Sequence, residues 1–85
     1  MPSYLVERYL PATGAANIDA AVAGINASDG RVRHLRATFV PEDETCFHVV
    51  EAPSLEAVRE ALKRAAITYE RIVEAVEGSQ KEENQ

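Results

Sequence analysis

The residues of this chain whose types could bind a metal ion or move a proton lie close together in its middle. His34 and His48 are the two histidines, and Cys46 is the single cysteine. Cys46 and His48 are two residues apart, so their side chains share one face if this segment is a β-strand. Imidazole nitrogen and thiolate sulfur are ligands that Zn, Ni and Cu accept. The alternative, which the residues alone favour, is that Cys46 packs in the core and that His48 is a hydrogen-bonded histidine.

His34 and Glu51 are a second candidate pair. A carboxylate beside an imidazole can bind a metal or act as an acid/base couple. The alternative, again favoured, is a cross-strand ion pair near the edge of a sheet, worth roughly 0.2–1 kcal/mol.

These residues are predicted to lie on a β-hairpin made by segments 31–40 and 45–52, with the turn at Pro41-Glu42-Asp43-Glu44. A loop of two or four residues gives the same register, because side chains alternate between faces along a strand. The predicted opposite pairs are Val40 with Thr45, Thr38 with Phe47, Arg36 with Val49, and His34 with Glu51.

This register divides the hairpin into two faces. The more apolar face, predicted to contact the helices, carries Leu35, Ala37, Phe39, Cys46, His48 and Val50. The mixed face carries His34, Arg36, Thr38, Val40, Thr45, Phe47, Val49 and Glu51. Phe47 and Val49 would be a costly pair to leave in water, which predicts a partner on the mixed face.

The rest of the chain supplies two more strands and two helices. Residues 3–10 are typical of a strand, and residues 17–29 and 55–66 show the apolar spacing of amphipathic helices. Residues 70–76 are predicted to form a closing strand, with prolongation of the second helix as the alternative. The order βαββαβ predicts an α+β protein of the ferredoxin-like plan. Its four-stranded antiparallel sheet would have the order 4-1-3-2, with two helices on one face.

Glu7 and Arg8 interrupt the first strand, which is central in this plan. Neighbours on a strand point to opposite faces, and a buried charge is expensive unless it is paired. Arg36 and Glu51 of the hairpin are the candidate partners. We expect a structural salt bridge, across strands or across a dimer interface, rather than a polar pocket.

The 85 residues predict a single domain at 1–77 and a disordered, polar tail at 78–85. The net charge of −5 argues against nucleic acid and membrane surfaces as partners. A lone cysteine fits a reducing compartment, and the N-terminal residues do not have the pattern of a signal peptide. We therefore expect a cytoplasmic protein.

Several segments together resemble a bacterial family of small ferredoxin-like proteins classed as a domain of unknown function. The segments are YLVERYLP at 4–11, VRHLR at 32–36, FV at 39–40, ETCF at 44–47, EAPS at 51–54 and EAVREA at 56–61. One branch of that family is described as nickel-binding and dimeric. The resemblance therefore implies a homodimer packed through the sheets and a nickel site, and it implies no agreed reaction. Family members often carry a histidine near Ala61 and a Gly-Leu-Pro sequence where this chain has Ala66-Ile67-Thr68.

Three functions remain open at this point. The first is a small dimeric binding protein for nickel or another divalent metal, with His34, Glu51, Cys46 and His48 as candidate ligands. The second is a cofactor-independent enzyme of the dimeric α/β-barrel type, which would act on a small organic molecule in a closed apolar pocket reached by His48 or Glu7. The third is an interaction module without chemistry.

Overall fold

The computed structural model describes residues 1–28 and 30–76, so the tail predicted at 78–85 lies outside the described residues. Its helices and strands follow the predicted order βαββαβ. They are β1 (Ser3–Tyr9), α1 (Asn17–Ser28), β2 (Arg33–Val40), β3 (Thr45–Glu51), α2 (Leu55–Arg64) and β4 (Arg71–Ala75).

The four strands form one antiparallel sheet with the order β2-β3-β1-β4, which confirms the predicted order 4-1-3-2. The closing strand β4 pairs with β1 from Ala75 opposite Ser3 to Arg71 opposite Glu7, so the alternative of a longer second helix is wrong. No helix in the described part of the chain is long and apolar enough to cross a bilayer.

The hydrophobic core lies between one face of the sheet and the two helices. On β1 and β3, Tyr4 is opposite Val50 and Val6 is opposite His48, and all four side chains are buried. The helices cover this face with apolar residues at helical spacing, which are Ile25 of α1 and Ala57, Val58, Ala61 and Leu62 of α2. The same alternation places Arg8, opposite Cys46, on this helix-facing side.

The β2–β3 hairpin confirms the predicted register near its turn. Val40 is opposite Thr45, Thr38 is opposite Phe47, and Arg36 is opposite Val49. The connection is a single 3₁₀ turn at Pro41–Asp43, after which Glu44 adopts a left-handed conformation with φ of 51°.

Beyond Arg36 the predicted register is wrong, because the ladder shifts between His34 and Arg36. His34 is opposite Val50, and Arg33 takes the place opposite Glu51. Leu35 is the extra residue of this β-bulge, and a bulge of one residue moves every following side chain to the other face. The His34 backbone N–H donates to Oδ1 of Asn26 on α1 at 3.0 Å, outside the ladder. His34 therefore lies on the helix-facing side instead of the mixed face.

The opposite face of the sheet is not covered by either helix, and it carries an apolar strip. Val49 is opposite Leu5, and Leu5 is opposite Val73, so these side chains cross β3, β1 and β4. Phe47 is next to this strip and is half-buried. Val49 is only 7% exposed within the single chain, so Phe47 is the more exposed of the two residues from which a partner was predicted.

The end of α2 is closed by backbone hydrogen bonds of the Schellman type. The Ile67 N–H donates to the Leu62 carbonyl at 2.9 Å, and the Ala66 N–H donates to the Lys63 carbonyl at 3.0 Å. Ala66 has a φ of 59°, in the left-handed region that favours glycine. Ile67 packs against the core cluster that contains Leu62, which is the apolar contact that accompanies this motif.

Replacing Ala66 with glycine should therefore stabilise the protein. A residue with a Cβ costs roughly 1–2 kcal/mol in the left-handed conformation, and glycine avoids this cost. Glycine also loses more conformational entropy on folding, which offsets part of the gain in stability. We expect Ala66→Gly to raise the free energy of unfolding by about 1 kcal/mol, measured by urea denaturation. Ala65→Gly is the matched control. Since Ala65 has an ordinary φ of −83°, this variant should be less stable than the parent, and a gain in both variants would contradict the explanation.

Candidate functional site

Arg8, His48 and His34 form a chain of hydrogen bonds on the helix-facing side of the sheet. Arg8 Nε is 3.0 Å from His48 Nε2, and His48 Nδ1 is 2.8 Å from His34 Nε2. Cys46 Sγ lies 3.6 Å from the same His48 Nε2 that Arg8 contacts. His48 and Cys46 are fully buried and Arg8 is 9% exposed, so this polar group sits within the fold.

Three neighbouring strands position the cluster. Arg8 and Cys46 are opposite each other on β1 and β3, and His48 follows Cys46 on the same face. The bulge in β2 then turns His34 toward this face, where its ring meets the ring of His48 edge-on with centroids 5.0 Å apart. The pairing of β1 with β3 therefore positions Arg8, Cys46 and His48, and the bulge in β2 adds His34.

The hydrogen-bond donors assign the protons on both rings. Arginine Nε carries a hydrogen at every relevant pH and can only donate, so His48 Nε2 must accept. A neutral His48 then carries its proton on Nδ1 and donates to His34 Nε2. His34 accepts at Nε2, which leaves its own proton on Nδ1. Both hydrogen bonds of this Arg8–His48–His34 series are therefore donated in the direction from Arg8 to His34.

This arrangement requires both imidazoles to be neutral. Burial lowers the pKa of His48 to about 4, and the positive charges of Arg8 and of a protonated His34 act in the same direction. Burial also lowers the pKa of His34. Burial raises the pKa of the Cys46 thiol, although the Arg8 charge acts against this shift. At neutral pH the cluster therefore contains two neutral rings, a neutral thiol and one cation.

The four predicted ligands do not form one group. The structure brings His34, His48 and Cys46 together, and it places Glu51 elsewhere, in an ion pair with Arg33 at 3.0 Å. The predicted contact between His34 and Glu51 is wrong because the bulge moves His34 to the other face. The favoured alternative for His48, a buried and hydrogen-bonded histidine, is what the structure shows.

The predicted cross-strand salt bridge is confirmed for Glu7, but the candidate partners named for Glu7 and Arg8 are wrong. Glu7 forms an ion pair with Arg71 of β4 at 2.9 Å, and Arg8 hydrogen-bonds His48. Sequence reasoning placed Arg8 in the central strand but did not connect it with the histidines. The signal that could have found this contact is the alternation Tyr4, Val6, Arg8, which puts Arg8 on the face that becomes the core.

We tested whether the cluster fits a divalent metal. Two imidazoles and a thiol are donors that nickel accepts, and both rings are unprotonated ligands at neutral pH. While Arg8 is bonded to His48 the arrangement does not fit a metal, because each accepting nitrogen is already used and the two ring nitrogens face each other instead of a common point. In residues 1–28 and 30–76, no three His, Cys, Asp or Glu side chains form a group that could hold a metal ion.

The fold and this cluster define a small α+β protein with the ferredoxin-like arrangement and a buried Arg-His-His group. Residues 4–75 match the family model described as "Nickel responsive protein SCO4226-like". The chain therefore belongs to the SCO4226-like family, which confirms the resemblance noted in the sequence. None of the curated proteins matches this chain.

A solved structure supports the same fold. The crystal structure of SCO4226 from Streptomyces coelicolor A3(2) superposes with a TM-score of 0.73 at 20% sequence identity. The alignment covers 91% of this chain and 99% of that one. At this identity the likeness shows the fold alone.

The neutral state of His48 predicts how stability depends on pH. The folded-state pKa of about 4 lies below the ordinary value of 6.5, so the unfolded chain binds more protons between these values. Stability from this group is present above about pH 6.5 and is lost as the pH falls toward 4. A shift of this size corresponds to about 3 kcal/mol, which urea denaturation at several pH values would measure.

Carboxyl groups also titrate in part of the range between pH 6.5 and 4. The contribution of His48 is therefore obtained by comparing the loss of stability in the parent with that in a variant without this histidine. His48→Gln keeps a side-chain acceptor and removes the titration. We expect its free energy of unfolding to fall less between pH 6.5 and 4 than that of the parent. Parallel curves for the two proteins would show that His48 does not stay neutral in the fold.

Proposed function

We propose that this protein is a small binding protein that takes up a divalent metal at His48 and Cys46, with His34 adjoining, in competition with Arg8. The supporting observation is that His48 lies 2.8 Å from the ring of His34 on the neighbouring strand and 3.6 Å from the thiol of Cys46 on its own strand. The name of the family makes nickel the first metal to test.

Arg8 is the residue that opposes metal binding. Its Nε–H donates a hydrogen bond to the lone pair of His48 Nε2 that a metal would need. The same ring nitrogen lies 3.6 Å from Cys46 Sγ. Its positive charge disfavours a second cation at short range. Uptake of a metal therefore requires Arg8 to leave His48 and the Cys46 thiol to lose its proton, so affinity should rise with pH.

Calorimetric titration of the metal-free protein with nickel chloride at pH 7.5 tests this proposal. We expect saturable binding in the parent and none in His48→Ala. Arg8→Met should bind at least about tenfold more tightly, because it removes a hydrogen bond from a charged donor worth roughly 1.5–3 kcal/mol. The absence of saturable binding in both the parent and Arg8→Met would overturn the proposal.

Glu51→Ala is the matched control for these variants. A carboxylate can bind a metal, but Glu51 is paired with Arg33 and lies on the opposite face of the sheet from His34. Nickel affinity should be the same in Glu51→Ala as in the parent. A loss of affinity would mean that the metal binds at another place on the surface.

We also propose that the protein is a homodimer packed through the uncovered face of the sheet. The apolar strip of Leu5, Val49 and Val73, with Phe47 beside it, crosses three strands of this face. The ion pairs Arg33–Glu51 and Glu7–Arg71 supply both signs of charge on the same surface. Two copies related by a two-fold axis can therefore place opposite charges across from each other.

Sedimentation equilibrium tests this dimer. We expect twice the 9.3 kDa mass of the chain for the parent and a single chain mass for Phe47→Glu, which places a charge beside the apolar strip. Ala27→Glu adds the same charge at an exposed position of α1, in the helix layer, and should remain dimeric. A parent that sediments as a single chain would contradict the proposal.

The enzyme hypothesis receives no support from the two residues on which it depended. Glu7 is paired with Arg71 on the uncovered face, away from the helices. His48 is fully buried, and both of its ring nitrogens are engaged by neighbouring side chains. We therefore propose no reaction for this protein.

A further inference from the structure

Besides its place in the cluster with His48 and His34, Arg8 lines a cleft between the two helices. The cleft has a volume of about 270 Å³ and lies between the first turns of α1 and the segment that follows α2. Its walls include small apolar side chains, and its polar groups come from Asn17 and Thr68 besides Arg8. Gly24 and Ala65, where the helices approach closely, lie near one end: a Cβ on Gly24 would be 3.3 Å from that of Ala65.

Arg8, which lines this cleft, has a buried donor without a partner in the part of the chain that the structure describes. Arg8 Nη2 is buried and has no hydrogen-bond partner among the described residues. The Arg8 residue is 9% exposed, so Nη2 is not simply hydrated at an open surface. A buried donor without a partner costs roughly 1–3 kcal/mol, and more when the group is charged.

The charge of Arg8 is also uncompensated. Its hydrogen-bond acceptor, His48, is a neutral ring, and the high pKa of the Cys46 thiol keeps that group neutral as well. None of the ion pairs between described residues includes Arg8. A buried cation without a counter-charge is strongly destabilising, so an anion in the cleft would stabilise the fold.

The geometry points to a binding site for a small organic carboxylate in this cleft, with the Arg8 guanidinium as the cation that recognises it. A carboxylate is the anion that suits a single guanidinium edge, since one positive charge balances one negative charge. The alanine side chains leave room for a short apolar group behind the carboxylate, and Asn17 and Thr68 can bond a further polar atom. The N-terminal turn of α1, which lines the cleft, also favours negative charge.

Titration of the ¹⁵N-labelled protein with sodium acetate and sodium propionate, followed by NMR, tests this site. We expect saturable shifts of the amides of residues 17–21 and of Thr68, with propionate binding more tightly than acetate. Sodium chloride at the same ionic strength should not reproduce them. Shifts that follow ionic strength alone, or that do not saturate, would show that the cleft holds only solvent and would overturn the site.

Two variants assign the recognition to Arg8 and to the cleft. Arg8→Met should weaken carboxylate binding at least tenfold while it strengthens nickel binding, so the two proposals give opposite results in one variant. Ala20→Leu fills the cleft from an exposed position and leaves Arg8 in place, so it should also abolish the shifts. Ala27→Leu, the same change on α1 away from the cleft lining, should bind like the parent. Unchanged binding in Arg8→Met or in Ala20→Leu would refute the assignment.

Discussion

The hydrogen bond from Arg8 to His48 is the constraint on which the polar interior of this protein depends. Because arginine can only donate, one contact sets the proton positions on both imidazoles and the direction of the whole chain. It keeps a cation within a fold whose other cluster members are neutral. The same contact explains why a set of metal-binding donors lies together without forming a metal-binding geometry.

The two proposals give Arg8 two neighbouring sites, which would take ligands of opposite charge. On one side are His48 and Cys46, which suit a cation only when the guanidinium moves away. On the other side is the cleft between the helices, which suits an anion only while the guanidinium stays. A ligand bound on one side of Arg8 would therefore change the binding free energy of a ligand on the other side, and such coupling is reciprocal. A carboxylate in the cleft would weaken metal uptake, and a bound metal would weaken the carboxylate.

The fold could be predicted from the sequence because apolar periodicity and strand alternation are local signals. The hairpin register near the turn and the shared face of Cys46 and His48 followed from alternation alone. The place of His34 did not, since a bulge depends on tertiary contacts such as that with Asn26 of α1. The contact between Arg8 and His48 was missed because it depends on the register of β1 against β3, which no turn between these strands fixes.

The single extra residue in β2 has a consequence for how related chains are compared. A homologue with a regular ladder and a histidine at the same distance from the hairpin turn would present that ring on the opposite surface of its sheet. Column-by-column alignment would nevertheless equate the two histidines. Inheritance of a ligand position in this hairpin therefore has to be judged from strand geometry, because identical letters at aligned places can belong to different environments.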